Sequence, residues 1–276
     1  MGWPFALCNE LFQGWPLERV AALAAEVGYE GLELAPFTLT DDVRHLGPAE
    51  RQGIRRAVET AGLRVAGLHW LLAHTQGLQL NDPDPAVRER TAQVLLALVD
   101  LCADLGGQAL AFGSPQQRSL RPGWSRAQAT ASAVEIFHRC GERAQACGVV
   151  FCLEPLTPQE TDVMASTAEA MAMVRQVGHP GLQMMADTRA MSTEALPIPE
   201  AIRQAAPWIR HVHLNDPNRL GPGMGDLDFG PILRALREVG YTGWLSVEPF
   251  DPSPGPERIA RESLAYLTRC MERIAP

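Results

Sequence analysis

The chain has 276 residues, 46% of them apolar, and a formal net charge of −8. That length suits two ordinary domains or one α/β barrel of about 250 residues, and no apolar stretch of 18 residues is present to cross a membrane. No basic run supplies the positive footprint of a nucleic-acid binder, and all 24 basic residues are Arg, so there is no Lys amine for Schiff-base or pyridoxal chemistry.

Short apolar β-type runs alternate with longer amphipathic segments. Phe5–Asn9 comes first, followed by a helical pattern over Leu17–Val27. Gly31–Ala35 precedes Ala49–Ala61, and Arg64–His69 precedes Pro85–Leu105. Gln108–Phe112 leads to Arg126–Cys147, and Val149–Glu154 to Thr167–Val177. After Leu182–Asp187 comes the weakest helical unit, near Pro199–Ala206. Ile209–Leu214 precedes Pro231–Val239, and Trp244–Glu248 precedes Pro256–Ile274. Gly28, Gly62, Gly106, Gly148, Gly178 and Gly240 each follow a helix, where the left-handed C′ position favours Gly. Ser125 and Thr167 read as N-caps.

Strict β–α alternation means a parallel sheet, and eight units predict a single-domain (β/α)8 TIM barrel over residues 1–276. A doubly wound sheet would want a Gly-rich loop after the first strand, yet Asn9–Trp15 holds only Gly14. The segment MGWPFALCNELF lacks a basic n-region and a long apolar h-region, so no secretory signal is expected. The six cysteines are scattered without a C-x-x-C pair and read as reduced thiols, in keeping with the cytoplasm.

In such a barrel the active site forms at the C-terminal ends of the strands. The fifth strand ends FCLEP, the sixth MMADT, the seventh HVHLND and the eighth LSVEP. Glu154, Asp187, His213 and Glu248 therefore come from four successive strands and aim at one point. Three close carboxylates cannot all ionise without a counter-charge, and a dication supplies it. Oxygen-rich ligation with one His suits Mn²⁺, Mg²⁺ or Co²⁺ better than a thiolate-held zinc.

These residues resemble the sugar phosphate isomerase/epimerase superfamily of xylose isomerase-like barrels, nearest to the ketose 3-epimerases and hydroxypyruvate isomerase. The resemblance spans the chain, but its specific part is Val149–Phe250. It implies one divalent ion, Mn²⁺ first and Mg²⁺ or Co²⁺ next, on Glu154, Asp187, His213 and Glu248. It implies that Glu154 and Glu248 also form the catalytic acid/base pair on opposite faces of a ketose or keto-sugar. Proton transfer would pass through a metal-bound enediolate, giving epimerisation or isomerisation. Dehydration of a keto-polyol, or a non-catalytic sugar-binding barrel, is the alternative. Glu160, in LEPLTPQE, and Arg219, in HLNDPNRLGPGMG, match family substrate contacts. The family often has a His three residues past the ligand Asp; here ADTRAM places Ala190 there, which leaves substrate identity and the part of Arg189 open. A three-metal nuclease of the endonuclease IV type would need extra His and Asp ligands.

Some residues stand outside the resemblance. His69 and Trp70, at the end of the third strand with His74 beyond, are read as sugar-pocket residues or as a packed Trp and a loop His. Glu10 and Glu33 read either as acceptors for substrate hydroxyls or, preferably, as buried partners of barrel Arg. His211 reads as a core residue one layer below His213, and Gly221–Gly225 as a substrate loop rather than a phosphate nest. The expected partner is a small sugar, with neither nucleic acid nor membrane, and a homo-oligomer is left open.

Overall fold

The apolar runs pair in the order in which they occur, and the last closes on the first. In the computed structural model, which describes residues 2–274, the strands are β1 (Phe5–Cys8), β2 (Gly31–Leu34), β3 (Arg64–Leu68), β4 (Ala109–Phe112), β5 (Val150–Leu153), β6 (Leu182–Asp187), β7 (Ile209–Leu214) and β8 (Leu245–Val247). They form a closed parallel barrel in which β1 pairs with both β2 and β8. Helices cover the outside and side chains fill the inside. Both faces of each strand are thus buried, which is why the strands read as continuous apolar runs rather than alternations.

The helices are α1 (Leu17–Val27), α2 (Pro48–Thr60), α3 (Pro85–Asp104), α4 (Pro115–Arg118), α5 (Arg126–Cys147), α6 (Thr167–Val177), α7 (Thr188–Met191), α8 (Ile198–Ala205), α9 (Phe229–Glu238) and α10 (Pro256–Arg273). The long ones bury a stripe, except α2, which buries only Val58. In α5 the stripe is Ala129, Ala133, Ile136, Phe137, Cys140 and Ala144, at helical spacing. Phe137 meets Phe112 at 5.3 Å and Phe151 at 6.2 Å between ring centroids, which fastens α5 to β4 and β5.

The eight strands, the alternation and the single barrel are as expected, and the six glycines all take positive φ. Three details differ. Ser125 does cap α5, but the cap of α6 is Ser166, whose side chain accepts from Glu169 N. Thr167 instead donates its N–H and hydroxyl to Glu194 Oε1, at 2.8 and 2.7 Å. Helix α9 begins two residues before Pro231 because Asp228 caps it, accepting from Gly230 N at 2.9 Å; Pro231 falls in the first turn, where its missing N–H costs little. Helices α4 and α7 have four residues each, too few to show a period.

Glu154 and Glu248 lie one residue beyond β5 and β8, yet their amides continue the ladder. Glu154 N donates to Phe112 O at 3.1 Å and Glu248 N to Leu214 O at 3.2 Å. All six cysteines are free, five of them buried and Cys147 half-buried. Among the described residues no helix is long and apolar enough to cross a membrane.

Candidate metal centre and active site

Glu154 after β5, Asp187 at the end of β6, His213 in β7 and Glu248 after β8 meet above the barrel. One ligand atom from each lies within 4.8 Å of all the others, and all four residues are buried. His213 Nδ1 is 3.0 Å from Glu248 Oε2 and 3.8 Å from Glu154 Oε1, but it lacks hydrogen-bond geometry to any partner.

Such crowding has an electrostatic cost. Burial, and then the Glu154 charge, push Asp187 up to about 6. Burial raises Glu154 and Glu248 as well, against the pull of His213. Burial disfavours the His213 imidazolium, but the charges of Glu248 and Glu33 overcome it and hold the ring well above its ordinary range. The cluster has an excess of carboxylate and one imidazole nitrogen aimed into it without a partner. That donor set fits one divalent cation, which would replace the protons held there.

Neighbouring groups fix these four side chains. Asp187 is the N-cap of α7, and its Oδ1 accepts from Ala190 N at 2.6 Å. Asn215 Nδ2 donates to Asp187 Oδ2 at 2.7 Å and to Glu248 Oε2 at 3.2 Å. Its own Oδ1 accepts from Thr188 Oγ1 and Arg189 N. Gly113, just past β4, leaves room for Glu154, because a Cβ there would sit 2.3 Å from Glu154 Oε2. The fully buried Arg118 donates to the Glu154 main-chain oxygen at 2.7 Å; burial lowers its guanidinium to about 10. Asn215, Gly113 and Arg118 were missed from sequence. Only Asn215 carries a signal there, two residues past the ligand His on the same face.

Below the quartet lies a buried layer of carboxylates and imidazoles. Glu33 Oε1 is 3.1 Å from His213 Nε2, and Glu33 Oε2 is 2.7 Å from His211 Nε2. Glu10 Oε2 is 2.6 Å from His69 Nε2. The expectation of Arg partners for Glu10 and Glu33 therefore fails: among the described residues both carboxylates pair with imidazoles instead. His211 is a core residue, as expected, and is bonded to Glu33. Two further three-residue groups of metal-ligand type share Cys8, one with Glu10 and His69, the other with Glu33 and His213; in each the imidazole Nε2 lies at hydrogen-bond distance from a carboxylate.

The residues expected to touch substrate separate into two sets. Trp70 lies on the quartet, donating from Nε1 to Glu248 Oε1 at 3.0 Å. Its ring stacks on Phe250 at 6.1 Å, and the Arg189 and Arg219 guanidinium carbons lie over Phe250 at 4.8 and 5.4 Å. Glu160 accepts from Arg189 Nη2 at 2.6 Å and from Thr157 Oγ1 at 2.8 Å. Trp70, Phe250, Arg189, Arg219 and Glu160 thus form a connected roof. His69, in contrast, is fully buried with Glu10, and His74 packs on Phe37 at 4.5 Å. A cavity of about 1100 Å³ opens over the ends of β1–β3, lined by Trp15, Phe37, Asp42 and His74 among others. Phe37, which lines this cavity, lies 6.0 Å from Trp70 between ring centroids.

Five residues other than glycine take positive φ among the described residues: Trp70, His74, Ser114, Met164 and Arg219. All lie in loops following strands at the site end of the barrel, where strain of about 1–3 kcal/mol each tends to collect. The Gly221–Gly225 loop packs closely. A Cβ on Gly225 would meet Asp216 Oδ1 at 1.9 Å, and one on Gly221 would meet Ser263 Oγ of α10 at 2.0 Å.

Fold and site together define an α/β barrel with a carboxylate-rich, single-imidazole centre at its strand ends. The family described as xylose isomerase-like TIM barrel matches residues 21–270, and the chain belongs to that family. An L-ribulose 3-epimerase of Mesorhizobium japonicum is 30% identical over 91% of this chain and 81% of its own length. A D-psicose 3-epimerase of Ruminiclostridium cellulolyticum is 33% identical over 62% of this chain and 59% of its own. The fold matches the crystal structure of D-psicose 3-epimerase with D-tagatose from Clostridium cellulolyticum H10, with TM-score 0.87, 22% identity, and coverage of 97% of this chain and 99% of that one.

Proposed function

We propose that this chain is a divalent-metal-dependent ketose epimerase that inverts a carbon next to a carbonyl by moving its proton between Glu154 and Glu248. The observation that carries the reading is the buried quartet, with both glutamates converging on one point beside His213. The similarity to ketose 3-epimerases over most of the chain supports it. A divalent ion on Glu154, Asp187, His213 and Glu248, with Mn²⁺ preferred, supplies a Lewis acid for the substrate carbonyl. One glutamate takes the proton from the α-carbon and the other returns one on the opposite face. Trp70 and Asn215 hold Glu248 in place through its two oxygens, and Arg118 holds the Glu154 main chain. The Trp70–Phe250 roof keeps water from the exchanged proton. Arg189, beside Ala190 and paired with Glu160, supplies a donor near the position where relatives of this type often carry His. Six free thiols suit a reducing compartment, and we place the protein in the cytoplasm.

The test is incubation with Mn²⁺ and a panel of free ketoses in D₂O. The expected result is an epimer carrying one deuterium at the inverted carbon. A product that has lost water, or no exchange with any ketose, would overturn the reading.

Arg219 is proposed to hold a substrate oxygen from the β7 loop. Arg219→Ala is expected to lower kcat/KM by about 10–100-fold, which corresponds to a lost charge-assisted hydrogen bond of about 1.5–3 kcal/mol. Mn²⁺ affinity should not change. A variant with wild-type kcat/KM would remove Arg219 from the substrate site.

A further inference from the structure

We propose that Glu33 is a positioning residue that fixes the ring orientation and tautomer of His213, and thereby sets how tightly this barrel holds its metal. The proposal rests on the reading of Glu154, Asp187, His213 and Glu248 as the metal site.

The argument begins with the two nitrogens of one ring. His213 Nδ1 faces Glu154 and Glu248 and has no hydrogen-bond partner. His213 Nε2 faces the opposite way, 3.1 Å from Glu33 Oε1. A carboxylate oxygen only accepts, so Nε2 must carry the hydrogen. In the neutral ring that leaves the Nδ1 lone pair directed at the quartet, which is the form a cation requires. Glu33 thus selects the tautomer as well as the rotation.

Glu33 is itself held from several sides. Its second oxygen lies 2.7 Å from His211 Nε2, and Cys8 Sγ is 3.9 Å from the same oxygen. His211 and His213 are two residues apart on β7 and so share its inward face. Glu33 reaches them from β2, bracing both imidazoles across the barrel interior. The β2–β3 pairing shifts register between Leu32 and Glu33; such irregularities re-aim side chains near functional sites. Glu33 and both rings are buried, so water does not compete for these bonds.

The experiment measures Mn²⁺ affinity of the purified full-length protein by titration followed with electron paramagnetic resonance. Glu33→Leu removes the acceptor at similar volume. Its Mn²⁺ Kd is expected to rise about 10–100-fold, the usual effect of losing an outer partner of a metal-binding His. Glu33→Gln keeps one carbonyl oxygen for two N–H donors and is expected to fall between Leu and wild type. The visible spectrum of the Co²⁺-loaded Leu variant should shift from that of wild type, a change that a purely structural role for Glu33 would not produce. If the Leu variant binds Mn²⁺ within about twofold of wild type, with an unshifted Co²⁺ spectrum, the proposal is overturned. If the Leu variant does not fold, the Gln variant decides by the same two readouts, and wild-type affinity there is equally fatal. Failure of the wild-type protein to bind Mn²⁺ at all would instead sink the metal-site reading on which the proposal rests.

Discussion

Treated with a chelator, the protein is expected to lose its epimerase activity, to regain it when Mn²⁺ is restored, and to melt at a lower temperature while stripped. The melting shift follows from mass action. An ion that binds only the folded chain adds about 2.7 kcal/mol at one hundred times its Kd. The pH dependence makes the test more specific. In the metal-free protein Asp187 is pushed up to about 6 by burial and by Glu154. Between its ordinary value and 6 the folded state binds more protons than the unfolded one, so stability falls as pH rises through that window. His213 is raised well above its ordinary value, and His69 is raised to about 9 where the Glu10 charge overcomes burial. Each contributes stability that is complete below about 6.5 and lost as pH climbs through the folded value. All three groups slope the same way, so the metal-free Tm should decline from about pH 5 to 9. Metal binding needs those carboxylates ionised and His213 Nδ1 unprotonated, so the Tm gain on adding Mn²⁺ should grow with pH. Differential scanning calorimetry with and without Mn²⁺ measures both slopes. Full activity after chelation would end the metal-centre reading. A Tm gain that shrinks as pH rises would mean that the displaced protons lie elsewhere.

The barrel was legible because parallel strands buried on both faces are mostly apolar, and because a helix must follow each strand. Glu154, Asp187, His213 and Glu248 were legible for a related reason: a charged side chain at the end of an apolar run needs an explanation, and four such runs end alike. What could not be read is contact across the barrel. Glu33 looks like a lone acid in GLEL, and nothing local in that string says that two imidazoles from β7 will meet it. Glu10 and His69 are 59 positions apart and pair only because β1 and β3 both face the same interior. Arg118 sits on a four-residue helix whose location depends on the loop after β4. Phe250 lies just past the last strand, and its place under two guanidinium groups depends on the segments after β6, β7 and β8 meeting. Strand-end chemistry is local in sequence, whereas the groups that orient it are not.

Replacing either glutamate by glutamine is expected to leave a folded, metal-binding barrel with turnover lowered by about 10²–10⁴, the usual range for losing a general acid or base. Glutamine keeps the side-chain shape and one coordinating oxygen but cannot accept the proton. Metal affinity should weaken in both variants, because one charge leaves the quartet. The two should differ in how far they disturb their surroundings. Glu248 is held by Trp70 Nε1 on one oxygen and Asn215 Nδ2 on the other. In Glu248→Gln one of those donors must face an amide N–H₂, so that variant should also disturb Trp70, which is visible in its fluorescence. Glu154 is located mainly through its main chain and the space left by Gly113, and Glu154→Gln should leave Trp70 fluorescence as it is. Isotope exchange then separates the faces of the substrate. Each glutamate serves one face, so one variant should wash deuterium from D₂O into one epimer only, and the other variant into the opposite epimer. Exchange from both epimers in both variants would mean that a single base serves the two faces. Near-wild-type turnover in both variants, with metal bound, would remove the paired-glutamate mechanism while leaving the barrel and its metal centre intact.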